Sequence, residues 1–446
     1  MGDMAITRQL AEYAVSSRQA EYSEKDIRMT KLAFLDWLAA AETGVTEDSV
    51  KKLLELSEEE GIHGDCVMIG QGKKTSAPTA ALINGTQSHA IDFDDIHDFL
   101  SLHLCSPVLP AVLSAAEAVD ADGKQMIRGA ICGMQVMAAL SAAMMPEHYN
   151  LARWHATGTI GVFGAMAAAG SILGLSVGEM CNGFGICAGL MGGIQLNFGT
   201  MAKPMAAGMA AKHGLMAALL AKKGFTGRAD IFDTDFLDNV SAKKTEPEKI
   251  VERLLGTQAV HELRFKRYPC GAPTHSGILN CKKILERHPA AVREIEKIVF
   301  EPYPRAIRLV GVTHPETGLQ GKFSIPFTAA AQIVFGQVTI ETFTDENVKN
   351  PDVLYLLDRM EMVPNEEFTP SRGGRATIYF KDGTSESNAT YLLGHELDLE
   401  EASKDVDGKY DEIMIPRIGK SRAEDIKKAV MTMETLGSAK ELSRFL

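Results

Sequence analysis

Six ionisable residues crowd one short stretch, AIDFDDIHDFLSLHLCSPVLPA at residues 90–111: Asp92, Asp94, Asp95, His97, Asp98 and His103. The flanking segments are apolar, and groups of this kind are costly to bury unpaired. A metal site, an acid/base site and a solvated loop between helices all fit the residue types. The spacing matches no EF-hand loop and no H-E-x-x-H, and there is no cysteine triad suited to an iron–sulfur cluster. No metal is expected. Three more polar residues stand out in apolar or Gly-rich surroundings: His155 in ARWHATGTIG, Lys203 in FGTMAKPMAAG and His275 in FKRYPCGAPTHSG. Each reads as the end of an element, just before a helix, where loops carry sites and free N–H groups favour anions.

Those residues need a scaffold, and its outline is readable. EYSEKDIRMTKLAFLDWLAAAETG starts with a capping-box pattern, Ser23-x-x-Asp26, and stops at Gly44. SAPTAALINGTQSHAIDF reads as a helix running into the acidic stretch, and PVLPAVLSAAEAVDADG as the helix leaving it. DCVMIG is a short strand or extended link. PMAAGMAAKHGLMAALLAKKGFTG has Pro204 in its first turn, Lys222 and Lys223 in its last and Gly224 beyond. Two uncharged runs, 158–178 and 180–202, are long enough to span a membrane but are Gly/Ala-rich without basic flanks. They read as buried helices packed through small residues.

After about residue 264 the texture changes. VREIEKIVFEPYP alternates like a strand, and GRATIYFKDGTSESNATYLL reads as a hairpin turning at Asp382-Gly383. Helices are expected at 274–287, 323–336 and 349–359, and a last one capped by Ser421-x-x-Glu424. The expected fold class is mainly α with α+β. A large all-helical domain (1–264) is followed by a smaller α+β lid domain (265–405), and a C-terminal segment (406–446) returns to the helical domain.

A formal charge of −12 offers no basic excess to neutralise phosphates, so neither nucleic acid nor an anionic membrane is an expected partner. An anionic substrate would need a local cationic pocket. Seven cysteines, an odd number without C-x-x-C spacing, argue against a disulfide framework or zinc ribbon and fit a reducing cytosol. The amphipathic N-terminus lacks the n- and h-regions of a signal peptide. A cytoplasmic location is expected.

Taken in order, NGTQSHAIDFDDIH, H-x-x-SPVLPA, WHATGTIG, GTMAKPMAAGMAAKHGLMAALLAKKGFTG and FKRYPCGAPTH resemble the signature stretches of the MmgE/PrpD family, over about residues 5–400. That family includes 2-methylcitrate dehydratase, cis-aconitate decarboxylase and iminodisuccinate epimerase. The resemblance implies a homodimer, no cofactor and a small anionic di- or tricarboxylate substrate. By motif it carries over a catalytic set of Asp92, His103, His155, Lys203 and His275. The residues expected around the substrate are Thr159, Lys266, Arg267, Thr274 and Phe327. Two departures from the family pattern stand out. Met205-Ala206-Ala207 follows the K-P pair where a His is frequent, and Phe327 stands where several members place a Tyr. One extra residue also lies between Asp92 and His103.

The shared chemistry explains these residue types. A carbanion or enediolate must form, or be protonated, beside a carboxylate whose charge opposes it. Each cation or donor aimed at that carboxylate contributes about 2–4 kcal/mol. Lys203, with protonated His155 or Arg267, would supply positive charge, and helix starts near Thr159 and Thr274 would supply N–H groups. His103 and His275 are the expected proton-transfer residues. Asp92 would orient a histidine or act as a base itself. One such set serves dehydration, decarboxylation and epimerisation alike. A dehydratase of the 2-methylcitrate type is the simplest reading. The alternatives are a decarboxylase, an epimerase and an inactive carboxylate-binding protein.

Overall fold

The computed structural model describes residues 5–97, 102–393 and 398–446. The fold is mainly α with a smaller α+β part, and the chain divides into two compact units. The first contains Met1–Ala90, Asp94–Phe265 and Leu397–Leu446; the second contains Ile91–Phe93 and Lys266–Glu396.

The first unit opens with α1 (Ile6–Ser16), α2 (Glu24–Gly44) and α3 (Asp48–Glu59). Ser23 caps α2, and the Asp26 carboxylate returns the bond to the Ser23 N–H. A hairpin of β1 (Cys66–Met68) and β2 (Lys73–Thr75) precedes α4 (Ala77–Ala90). The sequence expects α4 to continue to Phe93. It stops at Ala90, and Asp92 takes a left-handed φ of 60°, which ends the helical path. Next come β3 (Ile96–His97), α5 (Cys105–Val119) and α6 (Gly123–Met144). After the single turns α7 (Glu147–Asn150) and α8 (Ala156–Thr159) come α9 (Gly161–Leu173), α10 (Val177–Ala188) and α11 (Ala202–Lys222). The short α12 (Phe236–Ser241) and α13 (Glu248–Leu255) lead to β4 (Leu263–Arg264), which pairs antiparallel with β3. The domain expected to be all-helical thus contains two small strand pairs.

Small residues set the helix spacing. A Cβ placed on Gly208 of α11 would lie 2.3 Å from the Leu82 carbonyl oxygen of α4, and one on Gly133 of α6 would lie 2.7 Å from the Gly164 carbonyl of α9. By length and composition Gly123–Met144 and Ala156–Leu173 could cross a membrane, but their apolar windows are 89% and 100% buried within the structure. The second uncharged run is not a continuous helix. α10 ends at Ala188, and 189–201 is mostly irregular and part-exposed, with Leu196 87% exposed. Gly189, Gly192, Gly193 and Gly199 weaken helix there.

The second unit contains α14 (His275–Arg287), β5 (Ile295–Pro302), α15 (Pro304–Val310), α16 (Gly318–Gly321), α17 (Ile325–Phe335), α18 (Pro351–Leu357), β6 (Met360–Met362), β7 (Gly374–Phe380) and β8 (Ser385–Thr390). Its four strands run in the order β6-β5-β7-β8; β5 and β6 are parallel and the other pairs antiparallel. The β7–β8 turn is made as expected. Gly383 takes φ 87°, and Asp382 accepts the Thr384 N–H at 2.9 Å. The alternating inward residues of β5 and β7, among them Ile298, Phe300, Ala376 and Ile378, join Ile278, Ile325 and Phe327 in one apolar core.

The chain returns to the first unit through α19 (Leu399–Ile418), α20 (Lys420–Met431) and α21 (Lys440–Ser443). Ser421, expected as an N-cap, lies inside α20, whose N-cap is Gly419 at φ 82°. The helix before it starts at Asp398, which accepts the Glu400 and Glu401 N–H groups.

Candidate active site

In the first unit the acidic stretch is sorted by partner. Asp95 accepts the backbone N–H of Leu104 at 2.9 Å and of Cys105 at 3.1 Å, which satisfies donors at the start of α5 and fixes the turn carrying His103. The His103 N–H donates to Thr157 Oγ1 of α8 at 3.2 Å. His97 Nε2 lies 2.9 Å from Glu262, beside the β3–β4 pairing. Asp98 lies outside the described residues.

Asp94 is wholly buried and stands at the centre of a histidine group. Its Oδ2 is 2.8 Å from His89 Nδ1, accepts the Ser106 hydroxyl at 2.6 Å, and lies 3.2 Å from His103 Nδ1. The last contact is at ion-pair distance but off the hydrogen-bond angle. The His89 ring stacks on His155 (centroids 5.5 Å, 15° between planes) and meets His103 edge-on at 4.7 Å. Phe198 ties in the remaining cation: its ring meets His155 edge-on at 5.2 Å, and Lys203 Nζ lies 5.6 Å from its centroid. His103, His155 and Lys203 are therefore gathered around His89, which the sequence reading passed over. A histidine in the last turn of the otherwise uncharged α4, five residues before Asp94, was the available signal.

Electrostatics follow from burial. Burial, with the Lys203 charge adding to it, pushes His89 down to about 4 against the pull of Asp94, so the ring is neutral at pH 7. Burial works to raise Asp94, but His103 and His89 outweigh it and hold the carboxyl well below its usual range. Burial and the Asp94 charge raise Asp95. His89, Asp94 and His103 are donor types that could hold a divalent cation. The Lys203 charge nearby opposes a cation there.

In the second unit, Asp92 pairs with the buried Lys266. Nζ lies 3.1 Å from Oδ2 and donates to the Asp92 carbonyl oxygen at 2.9 Å. The hydrogen bond to a histidine described above is made by Asp94, and the Asp92 charge acts on His275, opposing burial there. Lys322, not anticipated, is also buried and donates to the Ile91 carbonyl oxygen at 3.2 Å. The two ammonium groups hold Ile91–Phe93 through its backbone. His275, the first residue of α14, is pushed down to about 3 by burial and then by the Lys266 charge. Its ring meets Tyr268 edge-on at 5.2 Å.

The expected substrate contacts fare unevenly. Thr159 is fully buried, with its hydroxyl 2.7 Å from His148 Nε2, behind the His155 turn. Thr274 is fully buried and donates to the Gly271 carbonyl oxygen at 2.9 Å, a local turn contact. Phe327 is fully buried in the core of the second unit, where it packs on Phe343. Arg267 is exposed. Of this group Lys266 alone joins a buried charge cluster. Helix starts also differ slightly from expectation: His155 caps the single turn α8, and Lys203 lies within the first turn of α11.

The chain is 24% identical to the cis-aconitate decarboxylase-like protein oryM of Aspergillus oryzae, covering 98% of this chain and 96% of that protein. It is also 24% identical to a cis-aconitate decarboxylase of Aspergillus terreus (97% and 94% covered) and 25% identical to the cis-aconitate decarboxylase of Homo sapiens (99% and 94%). The MmgE/PrpD N-terminal domain model matches residues 8–247 and the MmgE/PrpD C-terminal domain model matches 268–435, so the chain belongs to the MmgE/PrpD family.

Proposed function

We propose that this protein is a lyase acting at a carbon next to a carboxylate of a small di- or tricarboxylate. The reaction to test first is cleavage of a carboxylate from a cis-aconitate-like substrate. The supporting observation is the gathering of His89, His103 and His155 with Lys203, a buried ammonium group among neutral or proton-transferring rings. The relatives named above favour decarboxylation over the dehydration that the sequence alone made simplest.

The geometry supports a simple division of labour. Lys203 offsets carboxylate charge as the adjacent carbon gains an electron pair. An imidazolium then delivers a proton to that carbon, or in the dehydratase and epimerase variants a neutral imidazole removes one. The Asp92–Lys266 ion pair and the neutral His275 are the candidate residues of the second unit. A second copy of the chain belongs to the same reading. The exposed apolar residues Ile194, Leu196, Met201 and Met205, on the segment that carries Lys203, are the surface it would cover.

The test is an NMR assay in deuterated water with cis-aconitate, citrate, 2-methylcitrate and iminodisuccinate. Loss of CO₂, loss of water, and label exchange with inversion give distinct spectra. Lys203→Ala is expected to lower kcat about 10²–10³-fold with the fold intact. Carboxylate binding without turnover or exchange on the whole panel would mean a binding protein instead. Turnover that persists in both Lys203→Ala and His103→Ala would overturn the site.

A further inference from the structure

We propose that Asp94 is the positioning residue of the proton-transfer group: its Oδ2 accepts the Nδ1–H of His89 and faces that of His103, leaving Nε2 of each ring as the atom that exchanges the proton. The catalytic consequence rests on the lyase reading above; the tautomers do not.

Three observations carry this. Asp94 Oδ2 lies within 2.8 Å of His89 Nδ1 and 3.2 Å of His103 Nδ1, and an ionised carboxylate can only accept. The Ser106 hydroxyl donates to the same oxygen and keeps the carboxylate from turning. His89 Nε2 is a fully buried atom with no hydrogen-bond partner among the described residues. Buried polar atoms are rarely left so, and a bare acceptor there is completed by a proton from a ligand. Charged or titratable groups of the first unit facing this set include His155 stacked on His89, Lys203 beside it, and Asp95, Asp36 and Cys105 on the Asp94 side.

The step balances simply. When Nε2 takes a proton from a substrate carbon, the C–H electron pair stays on carbon and delocalises into the neighbouring carboxylate. The imidazolium formed lies against Asp94 and returns the proton in the reverse sense. The off-angle contact of His103 with Oδ2 strengthens when that ring becomes cationic. Asp94 touches no reacting atom and acts through the two rings.

Two measurements test it. In wild-type protein labelled with ¹⁵N-histidine, two-bond ¹H–¹⁵N correlations read the tautomers at neutral pH, with His89→Gln and His103→Gln for assignment. Both rings are expected as Nδ1–H; finding Nε2–H on either overturns the proposal, whether or not any variant folds. In Asp94→Asn, kcat is expected to fall about 10²–10⁴-fold with KM little changed. The limb of kcat/KM set by these rings should move to lower pH, because the charge that favours imidazolium is gone: the acid limb where a ring removes a proton, the basic limb where it delivers one after loss of CO₂. Asp94→Glu should recover part of the rate. Activity within about threefold of wild type, or a loss with that limb unmoved, overturns it. If the wild-type protein turns over none of the panel, the lyase reading fails while the tautomers still decide this one.

Discussion

Neutral, buried imidazole is the common state of three histidines in this chain. His89 and His148 are pushed down to about 4 and His275 to about 3, in each case first by burial. His148 shows the consequence for stability without involving the reacting groups. Its Nδ1 donates to the Val240 carbonyl oxygen at 2.9 Å, which makes Nε2 the acceptor facing Thr159. A folded-state value below the ordinary 6.5 means that the unfolded chain binds more protons as pH falls. Stability is therefore lost on acidification between about 6.5 and 4 and is unaffected above that window. His148→Gln is expected to flatten this fall by up to about 1.4 kcal/mol per pH unit, read from denaturant midpoints across the window. An unchanged slope would count against a neutral His148.

Among the elements, α11 is the one through which packing reaches the site. It carries Lys203 in its first turn, and Gly208, little more than one turn later, lies against α4, the helix that ends one residue after His89. A methyl group there would meet the Leu82 carbonyl oxygen and the Thr86 hydroxyl, each at 2.3 Å. Gly208→Ala is expected to cost about 1–3 kcal/mol and to lower kcat with it, because the displaced helix carries Lys203. Gly178→Ala is the control: it lies in the first turn of α10 with nothing within 4 Å of the added Cβ, and its Tm should hold or rise.

For the molecule as a whole, the distribution of apolar surface decides what can be tested. The longest apolar helices are spent inside the structure, whereas the segment from Ile194 to Met205 leaves large apolar side chains exposed. Leu196→Asp with Met205→Asp is expected to convert a dimer to monomers by light scattering, with the helical circular dichroism retained. A wild-type chain that is already monomeric would remove the second copy from the proposed function.

Much of this was legible in the chain because it depends on neighbours in sequence. The Ser23–Asp26 capping box, the Asp382-Gly383 turn and the alternation of β5 and β7 are local rules, and each was recognised from a few residues. The candidate histidines and Lys203 were legible as polar residues at the ends of apolar elements. Ser421 misled because a capping pattern names a possible start, while the preceding helix and Gly419 decide where the chain turns. The run 180–202 departs from the expected buried helix because its glycines favour irregular backbone after Ala188. Which aspartate serves which partner could not be read at all. Asp92, Asp94 and Asp95 are near neighbours of one type, and only the placement of Lys266, His89 and the start of α5 separates an ion-pair partner, a histidine holder and a helix cap. Residue type and local pattern set what each group can do; the through-space partner, brought in from distant parts of the chain, decided what each one does.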